Sequence, residues 1–260
     1  MRGMEERNFL LKYKLGIVIF LLILDIFGLF FLRRYVDLSF FADLMNAIIS
    51  LAVAGLILTC YYRSEKSEKK FIIFLFIAFA FRFLGEALWM YYDLAGTIMP
   101  AFSFADLAWV FSNLTIILAF EYKLYKSNIQ KNKMLIFFIV VLFLLSAAFL
   151  IGIYLKLIVI DQSLWLSYLV NESYVLFDLF ILILLLTPLY FSIEKLKQSF
   201  LFYFFLSLGF VTTIIYDYLF AEFYLAGTYY SGGKLEILYF FSYVLWYAAF
   251  YFRYSRFCKG

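Results

Sequence analysis

The chain has 260 residues, of which 67% are hydrophobic, 24% aromatic and only 15% charged, with a formal net charge of +4 and no histidine. Ordinary soluble domains are about 45–50% apolar, so this composition excludes a water-soluble globule. The missing histidine removes the commonest transition-metal ligand and the usual general base near neutral pH, and no cofactor is expected.

A bilayer core asks for about 20 mostly apolar residues per helix. Charge clusters and turn residues divide the apolar runs into eight: Leu15 to Leu32, Ser39 to Tyr62, Phe71 to Tyr92, Ser103 to Tyr125, Met134 to Leu157, Ser163 to Tyr190, Ser199 to Tyr224 and Leu235 to Tyr254. The first follows a basic start (Arg2, Arg7, Lys12, Lys14), as a secretory signal would, but it is long for one and no small-x-small cleavage site follows in FLRRYVDL. It reads as the first membrane helix. The runs are too long, and too little alternating, for strands of a membrane barrel. The expected fold is all-α, a polytopic membrane bundle in a single domain over 1–260. Cys60 and Cys258, at helix ends without metal-ligand spacing, read as structural.

Of the 22 basic residues, all but Arg33, Arg34, Arg82, Lys156 and Lys234 fall on one side of these spans. The positive-inside rule makes that side cytoplasmic, together with both termini. Topology thus accounts for the basic loops, and nothing calls for nucleic acid as a partner; the lipid bilayer is the expected one. The carboxylates show the reverse bias. Asp37, Asp43, Glu86, Asp93, Asp106, Asp161, Glu172, Asp217, Glu222 and Glu236 fall in the outer half or outer loops, while Asp25 and Asp178 lie near mid-depth.

The tetrapeptide LAGT occurs at Leu94 to Thr97 and again at Leu225 to Thr228, an offset of 131 residues that also sets Glu86 on Asp217 and Trp89 on Phe220. At an offset of 130, Asp106 meets Glu236, Trp109 meets Tyr239, Ser112 meets Ser242 and Phe120 meets Phe250. An offset of four helices preserves orientation, so the halves, about 15–125 and 134–254, are expected to be parallel repeats about an axis along the membrane normal.

Charges inside membrane spans usually face protein or a water-filled cavity. Arg82 and Glu86 are four apart on one helix face and can pair with each other; with Asp217 they could form one buried network. Two readings stand side by side. Arg82 ties helices together as a structural salt bridge, or Glu86 and Asp217 flank an outward-facing pocket with Asp93, Asp106, Glu222 and Glu236 around its mouth. Such a pocket would favour cations or amines, with Trp89, Trp109 and Tyr91 adding cation–π contacts. Asp43, Asn46, Glu172 and Asp178 either line the same cavity or hold helices together by hydrogen bonds. Asp25 reads as a neutral acid bonded to a neighbour. Tyr61, Tyr62, Tyr91, Tyr92, Tyr229 and Tyr230, near span ends, read as interfacial anchors.

Arg82 to Tyr122, RFLGEALWMYYDLAGTIMPAFSFADLAWVFSNLTIILAFEY, sets Glu86 before a W-x-x-Y (Trp89, Tyr92), then Pro100 in an outer loop, then an A-D-x-x-W helix start (Ala105, Asp106, Trp109). This resembles the multipass sensory regions, of about eight helices, found ahead of diguanylate cyclase or histidine kinase domains in prokaryotic signalling proteins. The stretch with Asp217, Gly227, Glu236 and Tyr239 looks like the matching C-terminal half. The resemblance implies a ligand- or membrane-sensing module; since only SRFCKG follows Tyr254, its signal would pass to a separate signalling partner.

The first expectation is therefore a stand-alone membrane sensor that binds a small cationic or lipid-like molecule in its outer half. The alternative is a cation or amine transporter or channel using buried carboxylates. Paired carboxylates could also do acid–base work, but no nucleophile with a base, metal cluster or phosphate loop supports an enzyme, and no catalytic residue is assigned.

Overall fold

The computed structural model describes residues 39–96, 102–126, 133–160, 162–195, 197–230 and 232–257, with Gly16, Ile19, Phe20, Ile23, Leu24, Ile26 and Phe27 from the first apolar run. The first run as a span, Asp25, Asp37, Pro100, Asp161, Cys258 and both termini lie outside the described residues. The second to eighth runs form seven helices: α1 Ser39–Arg63, α2 Lys66–Leu94, α3 Phe104–Lys126, α4 Lys133–Val159, α5 Trp165–Lys195, α6 Lys197–Leu225 and α7 Glu236–Phe257. There is no strand among the described residues. In a lipid solvent every backbone N–H and C=O must find its partner internally, which long uninterrupted helices achieve.

The helices stop where the sequence changes character. Both LAG tripeptides end a helix in the same way: Gly96 closes α2 at φ 58° and Gly227 closes α6 at φ 64°, left-handed values that glycine adopts without a Cβ clash. Their N–H groups bond back to the carbonyls of Asp93 (3.1 Å) and Tyr224 (3.1 Å). α3 begins on a reciprocal cap, in which Ser103 N–H and Oγ donate to Asp106 Oδ2 (both 2.6 Å) and Asp106 N–H returns to Ser103 Oγ (3.3 Å).

Among the described residues, five helices are long and apolar enough to cross a membrane: α1, α2, α3, and residues Trp165–Ser192 of α5 and Ser199–Leu225 of α6. Large apolar side chains such as Leu51, Phe111, Leu118, Phe143 and Ile215 stay exposed on the outer wall, as a lipid-facing surface requires. The chain is thus a helical membrane bundle. Neighbouring helices close a ring in the order α1, α2, α3, α5, α6, α7 and back to α1, with α4 packed outside against α5.

Aromatic side chains fill the ring. Phe79 meets Trp246 (5.3 Å between centroids) and Phe250 (5.6 Å), Phe202 meets Phe250 (5.4 Å), and Phe210 meets Trp246 (5.0 Å). One end of the ring is clamped by charge: Glu68 on α2 accepts from Arg253 on α7 (2.8 Å) and Lys123 on α3, and Lys126 donates to the Ser67 carbonyl (2.8 Å). The Arg253 guanidinium lies over the rings of Phe202 (4.8 Å) and Phe71 (5.3 Å).

Candidate functional site

Above the aromatic core the ring opens into a cavity. The centre of a water-sized sphere can roam over about 70 Å³ of it, and the space between the walls, mouth included, is about 660 Å³. One water needs about 10–15 Å³ by the first measure, so there is room for a molecule of several heavy atoms.

Glu86 and Arg82, one turn apart on α2, set the floor. Glu86 is 4% exposed, and its Oε1 accepts from Tyr239 Oη (2.6 Å), Tyr243 Oη (2.6 Å) and Trp109 Nε1 (3.1 Å). Trp109 comes this close because residue 85 has no side chain: a Cβ there would stand 2.5 Å from the indole nitrogen. Arg82 turns away from Glu86. It donates to Asn113 Oδ1 (2.7 Å), faces Asp178 Oδ1 at 3.6 Å, and lies over the Trp246 ring at 4.5 Å. The pair open to Arg82 within α2 gives way to one across the ring from α2 to α5, where Asn113 and Asp178 hold the guanidinium.

The walls carry more acids, each held differently. Glu236, the first residue of α7, accepts from Tyr229 Oη (2.7 Å), Tyr216 Oη (3.2 Å) and Asn46 Nδ2 (3.4 Å). Burial, and next the Glu236 carboxylate, push the Tyr229 phenol well above its ordinary value, so this loop side chain stays a donor. Asp106 accepts from the Ser103 cap and from Tyr174 Oη (2.5 Å) on α5. Asp43 on α1 lies close to Asp93 on α2. Asp217, half-buried on α6, lines the wall near Asp178 and Arg82. Beside these acids runs a chain of rings: Tyr174 against Trp109 (6.0 Å), Trp109 against Trp89 (5.6 Å), Trp89 against Phe220 (6.4 Å), and Phe220 against Tyr229 (4.5 Å) and Tyr216 (6.0 Å).

The cavity brings together Asp43, Asn46, Arg82, Glu86, Trp89, Asp106, Trp109, Asp178, Asp217 and Glu236. Four residues anticipated for it, Asp93, Glu172, Glu222 and Tyr91, are not among its described lining residues. Glu222 forms an ion pair with Lys156 of α4, whose ammonium lies over the Tyr168 ring (5.6 Å), and Glu172 lies beside Tyr168 and Glu222. The Glu172–Glu222 group thus belongs to the α4, α5 and α6 contact. Tyr91, anticipated as a cation–π partner, is 63% exposed and packs on Tyr92 instead. Tyr229, read from sequence as an interfacial anchor, turns inward to Glu236.

Sequence reasoning missed Asn113, Asn171, Tyr174 and Tyr216, which also line the cavity. Asn113 carried a usable signal, since it lies seven residues after Asp106, two turns along the same helix face. Among the described residues no group of three acids or thiols converges as ligands for a metal ion. Set beside known protein families, curated proteins and solved structures, the chain matches none.

Proposed function

We propose that the protein is a membrane sensor, a receptor-like module that takes a small organic cation into this cavity and acts through a partner protein. One observation carries the reading: among the described residues, six carboxyl groups, of Asp43, Glu86, Asp106, Asp178, Asp217 and Glu236, line the cavity with a single basic side chain, Arg82, and a run of aromatic faces. Fixed acids supply a negative field in a water-poor space, and ring faces attract ammonium groups. The carboxyl groups of Glu86, Asp106 and Glu236 are held by protein donors, so they act as field and the aromatic rings as contact surface. That combination suits an organic ammonium better than a bare metal ion.

The finer architecture belongs to the same proposal. The bundle is read as eight spans in two parallel halves, with the cavity on the axis between them in the outer leaflet and both termini in the cytoplasm. Three features support this reading. The ring order maps onto itself when α1, α2 and α3 exchange with α5, α6 and α7. Gly96 and Gly227 close equivalent helices with the same left-handed turn. Asp106 and Glu236 each begin a helix and each accept from a side chain of the opposite half, Tyr174 and Asn46 respectively. The clamp of Glu68, Lys123 and Arg253 then lies at the cytoplasmic end, among the basic loops offered to a partner.

The test is calorimetry on the full chain in lipid nanodiscs with tetramethylammonium and with butylammonium as probes. Saturable binding, weakened at least about tenfold by Glu86→Gln, is the expected result, a change of about 1.4 kcal/mol. No binding of either ion would overturn the cation site. The like halves also favour a second reading, carriage of the cation across the membrane. Tetramethylammonium flux into proteoliposomes that Glu86→Gln abolishes would select transport over sensing.

A further inference from the structure

Two acids of the cavity wall lack what their neighbours have. Glu86, Asp106 and Glu236 each accept from two or more side chains. Asp178, 1% exposed, faces Arg82 at 3.6 Å, yet neither of its oxygens accepts a hydrogen bond. Asp217 accepts none among the described residues and stands in no ion pair, and of the two it is the half-buried one. A ligand in the cavity can therefore reach Asp217 without displacing a protein donor.

Helix register explains why this carboxyl faces the cavity. Phe210, Thr213, Asp217 and Phe220 stand three or four residues apart on α6 and so share one face. Phe210 packs on Trp246 (5.0 Å) and against the Arg82 guanidinium (5.9 Å). Thr213 is fully buried, and its hydroxyl is spent within α6 on the Gly209 and Phe210 carbonyls (3.0 and 3.1 Å). Phe220 lines the cavity with its ring on Trp89 (6.4 Å). Asp217 thus lies about one turn from the packed interior on one side and one turn from the aromatic wall on the other.

We propose that Asp217 takes the ligand's charge directly, through N–H donors, and that the site selects a primary alkylammonium over a quaternary one. The proposal rests on the cation-site reading above and names the class of cation. Ring faces alone suit a quaternary ion, the usual occupant of an aromatic cage. An open carboxyl reverses that order. A primary ammonium carries three N–H donors, a quaternary one none, and an N–H bond from a cation to a carboxylate is among the strong ones. With its head on Asp217, an alkylammonium lays its chain on the Phe220 ring, one turn along the same face. Glu86, Asp106 and Glu236 stay with their protein donors and supply field only.

The test compares butylammonium with butyltrimethylammonium, which keeps the chain and replaces every N–H by a methyl group. Calorimetry on the full chain in nanodiscs should show butylammonium bound at least about tenfold tighter. In Asp217→Leu the preference should vanish or invert, and in Asp217→Glu it should persist. Should Asp217→Leu fail to fold, the near-isosteric Asp217→Asn carries the same comparison, with the preference reduced. Equal or tighter binding of butyltrimethylammonium to the unmodified chain would overturn the direct contact and leave the cation site standing. A preference undiminished in Asp217→Leu or Asp217→Asn would mean that the methyl groups are excluded by size, and would remove Asp217 from the role. Binding of neither ion would overturn the site and the contact together.

Discussion

Glu86 concentrates three donors on one oxygen, two phenols and an indole, and most of what distinguishes this cavity from a packed core depends on that arrangement. Removing one donor leaves a buried acceptor short of a partner, at about 1–3 kcal/mol. Tyr239→Phe and Tyr243→Phe should each lower the unfolding midpoint in detergent by a corresponding amount. The double variant should depart from the sum, because the two hydroxyls share one acceptor; strict additivity would mean that they act separately. Gly85→Ala places a methyl group where the Trp109 indole lies. Overpacking of this kind costs about 1–3 kcal/mol, and the displaced indole should show a shifted fluorescence maximum. An unchanged spectrum would contradict the close contact. The acids of this site were legible in the sequence because a charge in an apolar helix has to face protein. Their donors were not: a tyrosine near a span end looks the same whether it turns to the interface, as Tyr62 does at 72% exposure, or inward to a carboxylate, as Tyr229 does.

At the scale of elements, α3 shows how a cap can serve a site. The Ser103 hydroxyl both starts the helix and orients Asp106, whose other oxygen accepts a hydrogen bond from the Tyr174 hydroxyl. Ser103→Ala should cost about 0.5–2 kcal/mol, and hydrogen exchange should quicken at the first amides of α3 and leave its middle unchanged. Uniform protection along the helix would deny the cap its role. The helices themselves followed from run length, and their ends agree with the expected ones to within a few residues, apart from the charged extensions at Lys66 to Lys70 and Glu194 to Lys195. Their neighbours did not follow. Helices apolar on every side have no distinct face to read, so nothing in the Leu235 to Tyr254 run announced that Tyr243, Trp246 and Phe250 would be among the most buried side chains of the bundle.

For the molecule as a whole, the orientation assigned by the basic residues is open to direct test. Thr228→Cys, next to the turn that closes α6, should react with a membrane-impermeant maleimide from outside intact cells, and Ser67→Cys, beside the charge clamp, only after permeabilisation. The opposite pattern would invert the bundle. The closed ring carries a mechanical corollary through α7. Its first residue, Glu236, hangs from two tyrosines and an asparagine at the cavity, and Arg253, about 25 Å further along at about 1.5 Å per residue, is bolted to Glu68 between two phenyl rings. A stiff rod pinned at both ends and packed along its length against α1, α2 and α6 has little freedom to bend. Any tilt imposed at the upper pins has to reappear as a sideways stroke at the lower one, and a thiol introduced by Ser255→Cys should report it as altered reactivity when tetramethylammonium is added.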